Sequence, residues 1–126
     1  MRTAVTVAQM LVRVCGTIQI VLGILFWSAN ASFLVPVHIL VGLVLVLALW
    51  TLAVLAARVG APAGFVAVAL LWGLLLPVLG LSQTRLLTGG GHWAIQVLHL
   101  LVGLAAIGMA EALGGITRRA AAPAAA

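Results

Sequence analysis

The sequence predicts an all-α, integral membrane, up-and-down four-helix bundle, and three observations predict it. Hydrophobic residues fill 66% of the 126 positions, and the charged side chains are six Arg and one Glu. A soluble fold of this size does not hide that much apolar surface, so the solvent around it is largely lipid. Four apolar runs reach the length of about 20 residues needed to cross ~30 Å of hydrocarbon. The first two connections between those runs are short, which makes consecutive helices antiparallel neighbours.

The runs are taken in order. The first spans residues 5–27 and ends at Ser28-Ala29-Asn30-Ala31-Ser32, a cluster with loop chemistry. It also reads as a signal peptide, with Arg2 and Arg13 before an apolar stretch and Ala29-Asn30-Ala31 as a cleavage site. The helix reading is kept, because the chain is present from Met1. The second run, 34–57, stops at Arg58-Val59-Gly60-Ala61-Pro62. The third, 63–82, carries Pro77 between Gly73 and Gly80, where a kink and a freed carbonyl are expected. Residues Gln83 to Gly91 with their triple Gly form the last connection, and the fourth run covers 93–113. Residues 1–119 are thus one transmembrane domain, and the Ala-rich tail 120–126 is expected to be disordered.

Arg positions give an orientation. Arg2, Arg13, Arg58, Arg118 and Arg119 fall on one side and only Arg85 on the other, which puts both termini in the cytoplasm of a bacterial-type plasma membrane. Trp27 and Trp93 then lie at the outer interface, while Trp50 and Trp72 are deeper packing residues. The same six Arg make no basic stripe, so nucleic acid is not an expected partner. Cys15 is alone and reads as a small packing residue.

Two histidines stand inside apolar runs, and they share a local sequence. Pro36-Val37-His38-Ile39-Leu40-Val41-Gly42 is matched by Val97-Leu98-His99-Leu100-Leu101-Val102-Gly103. Val21-Leu22-Gly23 precedes His38 much as Val78-Leu79-Gly80 precedes His99, so the two helix pairs read as a degenerate repeat. An ionisable, metal-capable side chain in lipid is a functional hypothesis by default. Both histidines lie early in helices of the same direction, at about 6–9 Å below the outer boundary by helical rise. The diagonal between those helices in a square bundle is ~13 Å. That is too wide for a shared bare ion and suits a tetrapyrrole iron reached by His38 and His99.

Gly42 and Gly103, one turn further on, leave room for a macrocycle edge. The face below His99 continues through Ala106, Ala110 and Gly114, a small-residue stripe that equally serves helix packing or dimerisation. Arg85, with His92, Thr88 and Gly89-Gly90-Gly91, would meet heme carboxylates at the outer boundary. Gln96 is placed to bond either a ligand or a neighbouring helix. Zinc fits poorly, because it wants three or four N or S donors.

With the paired His-x3-Gly motifs inside a four-helix plan, residues 5–113 resemble the four-helix membrane b-type cytochromes. They resemble, more loosely, one half of a heme A synthase-like protein. The resemblance implies one heme b per bundle, ligated by His38 and His99, for one-electron transfer or heme handling near the outer face. A redox partner or larger membrane complex is then an expected partner, besides the lipid bilayer and a second copy of the chain. The synthase group's acidic catalytic residue has no counterpart here, so enzymatic activity is not expected.

Two other functions stay open: a cofactor-free accessory subunit, and a small proton-coupled transporter using Glu111. Glu111, the one acid in the chain, has its natural partner in Arg13 on the first helix. That pairing reads as a structural clasp.

Overall fold

The computed structural model describes residues 1–28 and 31–122, and it is all helical. Four helices carry the fold: α1 Arg2–Ser28, α2 Val35–Arg58, α3 Ala63–Ser82 and α4 His92–Ala120. Each is long and apolar enough to cross a membrane. The helices begin or end within a few residues of the sequence expectations, except that α4 runs to Ala120 rather than to residue 113. Ala29 and Asn30 of the expected cleavage site, and residues 123–126 of the expected tail, lie outside the described residues.

Local chemistry explains the turns. A 3-10 turn, Ser32–Leu34, leads into α2, and Pro36 sits in the first turn of that helix, where its missing N–H costs nothing. At the other end of α2, Gly60 takes φ +80 and donates its N–H to the Ala57 carbonyl, while Ala61 donates to Ala56. This is the Schellman arrangement, which needs a residue that tolerates the left-handed region. Pro62 then opens α3. Pro77 lies inside α3 without ending it, and with no N–H it leaves the Gly73 carbonyl without its helical donor. A second 3-10 turn, Gln83–Arg85, closes α3 before the loop to α4.

The bundle is rhombic rather than square. α2 packs against α1, α3 and α4, and α4 packs against α1, α2 and α3, so α2 and α4 form the short diagonal. This corrects the ~13 Å diagonal of a square plan. Small residues make the close approach possible: Ala48, Ala53 and Ala56 of α2 and Ala106 and Ala110 of α4 are all buried. Arg2 at the start of α1 donates to the carbonyl of Ala121 just past α4, which joins the two termini at one end of the bundle.

The core is uneven along the bundle axis. Its contiguous buried cluster runs over Val5 to Cys15 of α1, Leu45 to Ala56 of α2, Ala69 of α3 and Ala106 to Leu113 of α4. All of these belong to the half that carries the termini. The opposite, distal half holds His38 and His99, which are only half-buried.

Candidate functional site

His38 and His99 meet at the distal end of the α2–α4 diagonal. Their ring centroids are 6.1 Å apart and their planes are inclined by 47°. The equal depth expected from the sequence is therefore realised as direct neighbourhood, closer than expected because α2 and α4 touch. Phe26 of α1 meets the His38 ring edge-on, with centroids 5.3 Å apart and planes at 66°. His99 instead rests on α3: a Cβ added to Gly80 would lie 3.0 Å from its Cε1. The repeat is thus broken at the site, since Gly23, the counterpart of Gly80, has nothing within 4 Å of its Cβ position.

The hydrogen bonding of this cluster is incomplete. Nδ1 of His38 and Nδ1 of His99 are both buried without a partner among the described residues, and so is Oε1 of Gln19. A buried polar atom left unpaired costs about 1–3 kcal/mol, and such atoms in a native fold ask for an explanation. Gln19 belongs to the same region because its amide fills the notch at Gly42, where an added Cβ would stand 2.7 Å from Nε2. Gly103 is the more open notch, with only Leu76 Cδ2 at 4.0 Å. The space expected beside the two glycines is therefore occupied by Gln19 at Gly42 and bordered by Leu76 at Gly103.

The remaining candidates sit as follows. Gln96 accepts a hydrogen bond from Trp27 Nε1 at 2.6 Å, so it ties α4 to the end of α1. Arg85 is exposed on the Gln83–Arg85 turn and makes no ion pair among the described residues. His92 opens α4, with Nδ1 3.3 Å from the carbonyl of Leu86. Cys15 is buried in the core as a free thiol. Sequence reasoning missed Phe26 and Gln19 as site residues, and it cited Gly80 only as part of the repeat. A polar residue inside the first run was the available signal for Gln19.

The geometry reopens one question about metals. Metal–imidazole bonds are about 2.0 Å long, so two rings facing each other across one ion have nitrogens ~4 Å apart and centres ~6 Å apart. The observed centroid separation is of that size, with the rings inclined by 47° and α2 and α4 in contact. Distance therefore no longer separates a tetrapyrrole iron from a bare ion. No group of three or more His, Cys, Asp or Glu is placed to hold a metal among the described residues.

A second polar cluster lies in the core half. Arg13 grips Glu111 with two bonds, Nε to Oε1 at 2.7 Å and Nη2 to Oε2 at 2.9 Å. Gln9 adds Nε2 to Oε2 at 2.9 Å, and its own Oε1 is buried without a partner among the described residues. Gly114 makes room for the Gln9 amide, which stands where a Cβ would be. The expected clasp of Arg13 and Glu111 is present, extended by Gln9.

No protein-family model, curated protein or solved structure matches this chain.

Proposed function

We propose that the protein binds one heme b through His38 and His99 and serves one-electron transfer or heme handling. The observation that carries this reading is the meeting of two histidines at 6.1 Å, each with a buried, unpartnered Nδ1. An Nδ1 without a hydrogen-bond partner is free to take a metal, and the N–H at Nε2 of each ring would then need an acceptor. The uneven core supports the same reading. The half of the bundle around the histidines lies outside the contiguous buried cluster, which makes it the more suitable half for a flat ligand. Seating a macrocycle there requires α2 and α4 to separate locally and Gln19 to leave the Gly42 notch.

When bound, the heme would supply the redox chemistry. The chain's own residues hold it, exclude lipid and water, and set its environment. Two protein ligands leave no open iron position, which favours electron transfer over oxygen chemistry. With the Arg distribution placing both termini in the cytoplasm, the site lies near the outer face of a plasma membrane, where Arg85 is available to heme carboxylates. The proton-coupled transporter reading gains little support, because Arg13 occupies both oxygens of Glu111.

Absorption spectra of the purified protein, oxidised and reduced, test the proposal. A Soret band with a sharp reduced α band, lost in His38→Ala and in His99→Ala, is expected. A flat visible spectrum after heme is offered contradicts it.

A further inference from the structure

The Arg13–Glu111 pair is unusual for its position. Arg13 lies eleven residues beyond Arg2 along α1, about 17 Å by helical rise, and about 21 Å short of Trp27. In a hydrocarbon layer ~30 Å thick with Trp27 at its outer edge, that puts Arg13 about 9 Å inside the inner boundary. Yet the Arg13 side chain is 57% exposed and that of Glu111 33%. Charges within the hydrocarbon face a bundle interior, pair with one another or reach for the interface, because lipid tails do not solvate them. Arg13 also has donors beyond the two that grip Glu111.

The surface around the pair is shaped for another helix. Leu101, Leu104, Gly108, Glu111, Gly115 and Arg118 follow each other at alternating spacings of three and four along α4, the pattern of a helix-pairing seam. Leu101 and Leu104 are exposed. An added Cβ would meet nothing within 4 Å at Gly108, and at Gly115 only the Arg119 side chain of the same helix. This outward seam is distinct from the stripe of Ala106, Ala110 and Gly114, which is buried inside the bundle.

We infer that this α1–α4 flank is the interface with a second copy of the chain, related by a two-fold axis along the membrane normal. A two-fold contact needs a patch that complements itself. This patch carries one cation and one anion side by side, so the symmetric contact brings two Arg13 and two Glu111 together with no net charge. The unused guanidinium donors of each copy then face the partner copy's carboxylate. The open glycines let the two backbones approach closely. The inference does not depend on heme.

Disulfide cross-linking in native membranes tests it, in a Cys15→Ser background with copper–phenanthroline as oxidant. Leu104→Cys and Gly108→Cys are expected to give a covalent dimer. Leu47→Cys and Leu71→Cys, 59% and 67% exposed as leucines on α2 and α3, are expected to give none. Counting subunits by single-molecule photobleaching in bilayers adds an independent readout. The parent chain should bleach in two steps and Gly108→Leu in one, and because Gly108 faces outward this change leaves the bundle intact. Equal cross-linking at all four positions, no cross-linking at positions 104 and 108, or two-step bleaching that survives Gly108→Leu overturns the inference.

Discussion

Gly80 sets the position of His99, since the imidazole lies against its Cα with no room for a full contact shell. In Gly80→Ala the new Cβ, 3.0 Å from Cε1, moves the ring by a few tenths of an ångström; in Gly80→Val the ring must leave. Heme titration followed by absorption should therefore show weaker binding in the order parent, Ala, Val, with the reduced α band shifted in the Ala variant. Gly42→Ala works on the other notch, on the helix of His38, by displacing the Gln19 amide. The histidines themselves were legible in the sequence, because an apolar-flanked His repeated with the same neighbours is rare. Gly80, Phe26 and Gln19 were not, because their roles come from cross-helix contacts that spacing along one helix does not encode. The space beside Gly42 is expected from the sequence to take a macrocycle edge, and in this structure the Gln19 side chain packs there.

At the scale of the helices, stability comes from packing more than from transfer out of water. Leu49 of α2 is fully buried at 0% exposure. In a soluble core Leu→Ala costs about 2–5 kcal/mol, part of it transfer free energy. Here the alternative surroundings are lipid, as apolar as the core, so mainly the cavity and contact terms remain. Leu49→Ala should therefore destabilise by about 2 kcal/mol, the low end of that range, measured by unfolding in a mixed detergent titration.

The Arg13–Glu111 clasp makes a sharper prediction about sign. Removing either partner alone strands a charge at depth, whereas removing both does not. Arg13→Leu or Glu111→Leu should thus lower the melting temperature more than the double variant, a non-additivity that a double-mutant cycle measures directly. The four helices, their order and this clasp were all readable from apolar runs, breakers and the scarcity of acid. The end of α4 was not, because residues 114–120 mix Gly, Thr and Arg and look like a boundary, while Gly114 is packed against Gln9 and Thr117 is buried with its hydroxyl bonded back to Leu113.

The whole molecule carries its contiguous core cluster in one half and its histidine pair in the other. A square bundle was the natural expectation from four helices with short loops, and the rhombic one follows from small residues on α2 and α4 that only a three-dimensional arrangement brings together. That shape turns two distant-looking histidines into neighbours. It also keeps the Arg13–Glu111 clasp at the opposite half, so the histidine pair and the clasp are separated along the bundle. If heme binds the folded chain at the histidine end, its binding free energy adds to folding. Heme should then raise the melting temperature of the parent protein and leave that of a His38→Ala, His99→Ala double variant unchanged.

The most direct test of the account remains the spectrum. The detergent-purified protein, oxidised and then reduced with dithionite, should give a low-spin pattern with a sharp α band, and each single histidine variant should lose it. A parent protein that stays colourless after reconstitution with heme, or a band that survives both single substitutions, would contradict ligation by His38 and His99.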